Sequence, residues 1–298
     1  MFLISVRNCN GMEKLPLFSV LIANYNNGCY LQDAIDSVLA QNYDNWEIVI
    51  VDDKSTDNSF EIYEKYKNDG RFHVFFNEEN KGCGYTKHRC AELANGEICG
   101  FLDPDDVLVG TEVFNVMTQT HLANPDASAV FSNMYVTDEH LNNVQEYDPK
   151  PFCKRIVVLD SKGWPLHHFF TFKKDLYLQT EGIDPEMRRA VDYDMYYKLE
   201  EVGEIVHVDA FFYKQRNNPH SISLNDNGYK AAVWHSYACV QAMKRRGLTD
   251  ESLMLFPVEG ALKREYLKGC EKIWKSKIYR IGKLFVSPLL FINGIWKK

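Results

Sequence analysis

The stretch ICGFLDPDD, residues 98 to 106, joins an apolar run to three carboxylates, with a proline in the turn between the first two. Such a run predicts a short buried β-strand that ends in an acidic turn. Crowded carboxylates repel one another and raise each other's pKa, and a bound Mg²⁺ or Mn²⁺ relieves that repulsion because both ions prefer carboxylate and phosphate oxygens. Two interpretations stay open at this point, a divalent cation site and a polar turn that caps the following helix.

Three further apolar runs precede this one, and each is followed by apolar residues at helical spacing. The predicted strands cover residues 18–23, 46–51 and 71–76, and the predicted helices cover residues 31–39, 60–66 and 85–94. Near-continuous apolar strands that alternate with helices are typical of the α/β class. In that class a mostly parallel central sheet carries helices on both faces.

A second acid cluster follows the second predicted strand directly, at Asp52 and Asp53. Ligands of parallel sheets bind in the crevice outside the carboxyl ends of the strands. Because the acids of residues 103–106 also follow a strand, we expect the two clusters to share one crevice. This convergence favours a functional site over an ordinary polar turn.

The second half of the chain has a more mixed pattern. Strands are predicted at residues 129–136, 169–172, 205–208 and 210–213, and helices at residues 191–199 and from about residue 230 onward. Between residues 271 and 298 seven basic residues accompany one acid, and the uncharged run 284–296 has 13 residues. A membrane-spanning helix needs roughly 20 apolar residues. We therefore expect a basic amphipathic segment at the surface of an anionic membrane, with a terminal helix packed on the catalytic domain as the alternative.

The composition excludes several classes of protein. The chain has 298 residues, 45% of them hydrophobic and 25% charged, and its net charge of −7 gives no basic field for nucleic acid. Its eight cysteines form no CxxC pair, which argues against structural zinc. Charged and polar residues interrupt residues 1–17, so we expect no secretory signal and a cytoplasmic protein with reduced thiols.

Several motifs together resemble family 2 glycosyltransferases. They are SVLIANYN at residues 19–26, VIVDDKSTD at 49–57, and GEI at 96–98 leading into DPDD at 103–106. The resemblance covers residues 17–225 and leaves residues 226–298 as a helical C-terminal region. It implies a nucleotide-diphospho-sugar transferase (GT-A-like) fold, dependence on Mg²⁺ or Mn²⁺, and inversion at the anomeric carbon.

The resemblance also assigns the donor side. It implies that Ala23, Tyr25 and Asn26 lie along the nucleotide pocket and that Asp53 binds the base, usually uracil. An acid suits this position because the uracil N3–H is a donor that needs an acceptor. Arg89 matches a basic residue that faces the nucleotide in the family, with an arginine on a solvated helix face as the alternative.

The acidic turn matches the D-x-D motif of the family. Asp103 is its first acid and is expected to bind ribose or a metal-bound water, whereas Asp105 is its second acid and the foremost metal ligand. Asp106 is expected to cap the following helix instead.

The segment RRAVDYDMYY, residues 188–197, resembles the family's E-D-x-x-L segment, which supplies the catalytic base. Asp192 takes the base position, and Val191 stands where a glutamate is common. Asp194 is the competing base. Because acids two residues apart on a helix point to different faces, we expect only one of them to face the crevice, and we favour Asp192.

The segment FFYKQRNNPHSIS, residues 211–223, resembles the Y-x-x-R-x-H-x-x-S-x-S loop that covers the donor phosphates in the family. Arg216 fits a phosphate contact, since a guanidinium matches phosphate geometry. Asn218 occupies the histidine position, and His220 lies two residues later as the candidate histidine ligand of the metal. His167 and His168 form another pair, of which one is a candidate to line the acceptor pocket.

These expectations combine into an inverting glycosyltransferase that moves a sugar from a nucleotide-diphosphate sugar, foremost a UDP-sugar, to a glycan or lipid-linked acceptor. It would work in polysaccharide synthesis at the inner face of the cell membrane. One alternative is a sugar nucleotidyltransferase, which should carry a Gly- and Lys/Arg-rich phosphate loop after the first strand, where this chain has residues 24–27 (NYNN). A second alternative is a non-catalytic glycan-binding relative.

Overall fold

The fold is described by a computed structural model for residues 15–147, 166, 168–218 and 228–247. His167, His220 and the amphipathic segment predicted within residues 271–298 lie outside the described residues. Within the described part, the helices and strands have the following bounds: β1 Phe18–Asn24, α1 Gly28–Leu39, β2 Trp46–Asp52, α2 Ser59–Tyr66, β3 Phe72–Phe76, α3 Cys83–Leu93, β4 Ile98–Phe101, β5 Val107–Leu108, α4 Val113–Ala123, β6 Ala127–Thr137, β7 Gln145–Tyr147, β8 Phe170–Lys173, α5 Lys174–Tyr177, α6 Val191–Val202, β9 Glu204–Arg216 and α7 Gly228–Arg245.

The described strands form one nine-stranded sheet in the order β3-β2-β1-β4-β8-β6-β9-β5, with β7 paired to β6. The first four strands in this order are parallel to one another, which confirms the α/β class. β8 is antiparallel to both of its neighbours, β4 and β6, so the half of the sheet from the later part of the chain is mixed.

The prediction of two separate strands at residues 205–208 and 210–213 is wrong, because a single strand, β9, spans Glu204–Arg216. β9 pairs with β6 in parallel, and the register shifts on both sides of Asn133. An irregular register of this kind bends a strand without ending it. The local interruption of the apolar pattern therefore marks a bulge and not a turn.

The core lies on both faces of the sheet because successive strand residues point in opposite directions. In β2, Val49 and Val51 belong to the core cluster that includes buried residues of α3, α6 and α7, whereas Ile48 and Ile50 belong to the cluster that includes buried residues of α1, α2 and α4. Each of these side chains is fully buried. Burial of one such side chain contributes about 2 kcal/mol, so the two faces together fix the sheet between its helices.

Gly84 allows α3 to approach the loop that leads into α6. Its N–H donates to the carbonyl of Met187 at 2.9 Å. A Cβ atom at this position would lie 2.4 Å from the carbonyl oxygen of Met187 and 2.6 Å from that of Asp184. Both obstacles are backbone atoms, so a side chain here would push the start of α6 away from the sheet.

We expect Gly84→Ala to lower the free energy of unfolding by about 2 kcal/mol, because an overpacked backbone contact must move. Urea denaturation measures the change. Gly70→Ala is the matched control, since nothing lies within 4 Å of a Cβ at Gly70, and a surface change of this kind costs less than about 0.5 kcal/mol. Equal stability of the two variants would contradict the packing described here.

Candidate active site

The acidic turn after β4 separates its three carboxylates into different environments. Asp106 is buried, and its carboxylate accepts hydrogen bonds from the Tyr213 hydroxyl and from the Arg216 backbone N–H, both at 2.7 Å. The expectation that Asp106 caps a helix is wrong, because β5 follows it and its side chain fastens the turn to β9 instead. Burial, together with the charges of Asp105 and Asp103, holds the pKa of Asp106 well above its usual range.

Asp105 points toward the end of β9. Its Oδ2 accepts a hydrogen bond of 3.0 Å from Nδ2 of Asn218. Burial and the negative charge of Asp103 raise the pKa of the Asp105 carboxyl above its ordinary value. A further positive charge near Asp105 would therefore be favourable, because burial and Asp103 outweigh the opposing charge of Arg216.

The chemistry of these side chains fits a divalent cation. Among the residues that the structure describes, no three His, Cys, Asp or Glu side chains are grouped as a complete metal site. Mg²⁺ and Mn²⁺ bound with substrate, however, need only one or two carboxylates in addition to phosphate oxygens. Asp105 and Asp103 are the two carboxylates that would hold such an ion. Rotation of the Asn218 amide would add an amide oxygen, since its nitrogen faces Asp105 in the present orientation.

The carboxylate of Asp53 fastens the loop between β3 and α3. Its Oδ1 accepts hydrogen bonds from Asn77 Nδ2 at 2.7 Å and from the Lys81 N–H at 2.8 Å, and its Oδ2 accepts one from the Gly82 N–H at 2.8 Å. An ionised carboxylate has about four lone-pair sites, so one remains for a donor such as a base N–H. The assignment of Asp53 to the base stays a prediction.

Arg89 is linked to Asp53 through Asn77. Its Nη1 donates to Asn77 Oδ1 at 2.6 Å, and the amide nitrogen of Asn77 donates to Asp53. A second bond from Nη1 reaches the carbonyl of Phe76 at 2.9 Å. The arginine therefore lies beside the predicted base pocket and is not simply a solvated residue of α3. Asn77 is a member of this group that the sequence motifs did not indicate.

The remaining donor-side residues follow β1. Tyr25 is exposed, and Ala23 is partly buried at the end of the strand. Asn26 adopts a left-handed backbone with a φ of 54°, and its Oδ1 accepts a hydrogen bond of 2.8 Å from the Thr56 N–H. The turns after β1 and β2 are thus tied together, which leaves Tyr25 as an accessible flat surface beside them.

Asp192 lies in the first turn of α6 and faces the acidic turn. Its Oδ1 accepts a hydrogen bond of 2.7 Å from Nζ of Lys87, and the same ammonium lies 3.0 Å from Oδ1 of Asp103. His168 approaches the pair from β8's side, with Nε2 at 3.7 Å from Asp192 and 3.8 Å from Asp103. Two carboxylates and two basic groups therefore form one cluster between the acidic turn and α6.

The cluster keeps Asp192 ionised. Burial alone would raise the pKa of Asp192, but Lys87 and His168 outweigh it and hold the pKa far below its usual range. Burial would lower the pKa of Lys87, yet the two carboxylates raise it well above the ordinary value. In the same way Asp192 and Asp103 raise the pKa of His168 despite its burial. The Asp192 side chain keeps 27% of its surface exposed, so its carboxylate remains accessible.

Asp194 lies on a different side of α6 and has no exposed oxygen to offer. Its side chain is 3% exposed, and Oδ2 accepts hydrogen bonds from Lys198 Nζ at 2.8 Å and from the Asp184 N–H at 3.0 Å. This carboxylate connects α6 to the preceding loop. Of the two base candidates in the sequence, the structure brings only Asp192 to the acidic turn.

Arg216, at the end of β9, is hydrogen-bonded to three groups of the protein. Its guanidinium donates to the carbonyls of Asp105 and Glu139 at 2.7 and 2.6 Å and to the carboxylate of Asp33 at 2.8 Å. The residue is 5% exposed and lies over the ring of Tyr30. The donors of Arg216 thus fasten the end of β9 to α1 and to the acidic turn, and its contact with a donor phosphate stays a prediction.

Sequence reasoning missed Lys87 altogether. A lysine inside α3 resembles any surface lysine in the sequence, yet this one is 4% exposed. The signal that points to it is indirect, since it stands within the segment that follows Asp53 and precedes β4. His168, by contrast, was a candidate for the acceptor pocket, and its position beside Asp192 places it at the predicted acceptor side.

Comparisons with known proteins bear on the family and the fold of this chain. The sequence model of Glycosyl transferase family 2 matches residues 19–186. Hyaluronan synthase of Pasteurella multocida is 27% identical over 251 residues, which are 80% of this chain and 24% of that protein. Chondroitin synthase of Escherichia coli is 30% identical over 217 residues, which are 68% of this chain and 29% of that protein. The chain thus spans less than a third of the length of either relative.

Two solved structures share the fold. TarS 1-349 of S. aureus in complex with UDP-GlcNAc has a TM-score of 0.60 at 21% identity, over 74% of this chain and 66% of that one. The mannosyltransferase PcManGT of Pyrobaculum calidifontis, in complex with GDP-Man and Mn²⁺, has a TM-score of 0.56 at 16% identity, over 96% of this chain and 88% of that one.

The sheet order, the helices on both faces and the acid-lined crevice define the fold of the GT-A glycosyltransferases. Because the family model matches more than half of the residues, the chain belongs to glycosyl transferase family 2. Within the described part of the chain, every helix is too short or too polar to cross a membrane.

Proposed function

We propose that this protein is an inverting, divalent-cation-dependent glycosyltransferase that uses a nucleotide-diphosphate sugar, foremost a UDP-sugar. The observation that carries the proposal is the meeting of Asp192 with the acidic turn across Lys87, at 2.7 and 3.0 Å. Transfer from a sugar diphosphate to a hydroxyl requires an ionised, accessible carboxylate as the base. It also requires a positive charge at the departing diphosphate, which a cation bound at the acidic turn would supply. The family membership and the UDP-GlcNAc complex of TarS support the same donor class.

The nucleotide is assigned to the crevice between the ends of β1 and β2. Asp53 accepts the base N–H with its remaining lone pair, and Arg89 orders this acceptor through Asn77. Tyr25, which is 47% exposed, supplies a flat surface along the pocket. These hydrogen bonds hold the pocket in one conformation before the nucleotide binds, which lowers the loss of conformational entropy on binding.

The transfer itself is assigned to Asp192. As the acceptor hydroxyl oxygen attacks the anomeric carbon, Asp192 takes the hydroxyl proton, and the bond from that carbon to the diphosphate oxygen breaks. A single displacement of this kind inverts the configuration and needs no enzyme nucleophile. The carboxylate is available at neutral pH because Lys87 and His168 hold its pKa low.

Asp105 and Asp103 would hold a divalent cation together with the donor, with Asn218 as an additional amide ligand. A Mg²⁺ or Mn²⁺ ion bound there stabilises the negative charge that develops on the departing diphosphate. The raised pKa of Asp105, which results from burial and from the charge of Asp103, supports this assignment. The Mn²⁺ complex of PcManGT is a further support from a protein of the same fold.

The acceptor is proposed to be a hydroxyl of a glycan or of a lipid-linked sugar in polysaccharide synthesis, in line with the hyaluronan and chondroitin synthases. We also propose that the protein works in the cytoplasm at the inner face of the membrane. The basic residues of the segment 271–298 and its uncharged run support contact with an anionic membrane surface.

Hydrolysis of donor sugars tests the function without a known acceptor. We expect slow release of UDP from one member of a panel of UDP-sugars in the presence of Mn²⁺, and loss of that release in EDTA. A coupled assay for free nucleotide measures both, and GDP- and dTDP-sugars provide the comparison. Release from none of the panel, with Mn²⁺ or Mg²⁺ present, would contradict the proposal.

A further inference from the structure

Lys87 lies between the two sides of the candidate site. Its ammonium reaches Asp192 on α6 and Asp103 in the acidic turn, and its side chain is 5% exposed. Building on the function proposed above, we propose that Lys87 is a positioning residue that couples the donor-side carboxylate Asp103 to the acceptor-side base Asp192. Neither the family motifs nor the pattern of the sequence assigns it this role.

The burial of Lys87 makes the contact obligatory. A lysine ammonium without compensating partners is costly inside a protein, and removing one partner of a buried pair is strongly unfavourable. Lys87 meets two carboxylates, and its Nζ also lies 5.2 Å from the centre of the Phe101 ring. The charge on α3 therefore holds the acidic turn and the first turn of α6 at a fixed separation.

The contact also selects which oxygen of Asp192 acts as the base. Lys87 occupies Oδ1 at 2.7 Å, whereas Oδ2 lies 3.7 Å from Nε2 of His168, beyond direct hydrogen-bonding distance. Oδ2 is thus the oxygen left for an acceptor hydroxyl. Without Lys87 the carboxylate would be free to rotate, and a misplacement of about 1 Å at a reacting group costs on the order of 100-fold in rate.

On the donor side, Lys87 lowers the affinity of the acidic turn for a divalent cation, whereas on the acceptor side it favours the reaction. Its positive charge neutralises Asp103 and repels a divalent cation held by Asp105 in the same turn. Removing that charge strengthens the attraction of the acidic turn for a cation. For a divalent cation at a distance on the order of 10 Å, screened by a dielectric constant close to that of water (about 80), Coulomb's law gives an affinity gain of about fivefold.

Replacement of Lys87 by methionine therefore separates two effects. For Lys87→Met we expect kcat for donor turnover to fall about 100-fold, while Mn²⁺ binds about fivefold more tightly in the presence of UDP. Lys87→Arg should recover about tenfold of the lost kcat, because a guanidinium can donate to both carboxylates. Coupled nucleotide release gives kcat and KM, and isothermal titration calorimetry gives the affinity for Mn²⁺.

Lys198→Met is the matched control. Lys198 is also 5% exposed, and it pairs with Asp194 at 2.8 Å and donates to the carbonyl of Gly182 at 2.7 Å. The variant removes an equally buried lysine from an ion pair on α6 that lies away from the acidic turn. We expect it to lower the melting temperature and to leave kcat within about threefold of the wild type.

Three results would overturn the role of Lys87. They are a kcat for Lys87→Met that stays close to the wild type, a loss that Lys198→Met shares, or Mn²⁺–UDP binding in Lys87→Met that is unchanged or weaker. Weaker binding would make Lys87 a ligand of the diphosphate. If the wild type turns over no nucleotide sugar, the proposed function fails. The Mn²⁺–UDP titration still decides on the coupling, since tighter Mn²⁺ binding supports it and unchanged or weaker binding overturns it.

Discussion

Asp192→Asn is expected to lower sugar transfer by about 1,000-fold while the protein stays folded, because an amide cannot take the acceptor proton. The substitution keeps the shape of the side chain, so Lys87 and Asp103 retain their positions at 3.0 Å. UDP binding in the presence of Mn²⁺ should change little, since Asp192 serves the acceptor side. Transfer rates and calorimetric titration of UDP on the same preparation measure the two effects.

Asp194→Asn provides the contrast on the same helix. Its carboxylate is 3% exposed and paired with Lys198, so its loss weakens the connection of α6 to the preceding loop. We expect the free energy of unfolding to fall by about 3 kcal/mol, with the transfer rate of the remaining folded protein close to that of the wild type. If Asp194→Asn abolished transfer and Asp192→Asn did not, the assignment of the base would be reversed.

Asp105→Ala should abolish the contribution of the divalent cation. The variant removes the carboxylate that we assign to the metal, and charge stabilisation on a departing diphosphate is worth several kcal/mol. We expect transfer to fall by about 1,000-fold and the Mn²⁺-dependent part of UDP affinity to disappear. Titration of UDP with and without Mn²⁺ measures this loss directly.

We expect Asp105→Ala to keep or raise the stability of the folded protein although it abolishes activity. Burial and Asp103 raise the pKa of Asp105, and Asp105 in turn raises the pKa of Asp106. Removing Asp105 relieves this repulsion, so the melting temperature should stay constant or rise. A variant that lost activity by unfolding would melt earlier. Mn²⁺-dependent UDP binding equal to that of the wild type would exclude Asp105 as a metal ligand.

Local patterns in the chain determined the architecture. The apolar runs before Asn24, Asp52 and Asp103 predicted β1, β2 and β4, and the structure confirms them as neighbouring parallel strands. The parallel direction of the strands follows from such runs because each crossover helix returns the chain to the same end of the sheet, whereas the order of the strands comes from the structure. The sequence therefore predicted that the two acid clusters lie at the same edge of the sheet.

The sequence was less informative where a pattern had two physical meanings. Asp106 looked like a helix cap, and the break in the apolar pattern near residue 209 looked like a turn. The structure assigns Asp106 to Tyr213 and Arg216, and it continues β9 through the break. In both places the deciding partner lies on a distant strand, and local propensity contains no information about it.

The family resemblance and the motifs determined the fold, the acid clusters and the choice of Asp192 as a base candidate. Only the tertiary structure shows that Lys87 pairs with both Asp192 and Asp103. It also shows that Asp194 forms a buried ion pair with Lys198 and that Arg216 is buried. Lys87 and Asp192 are 105 residues apart. The periodicity of a helix or strand fixes which side of that element a residue occupies, but the partner it meets depends on how α3 and α6 pack on the sheet.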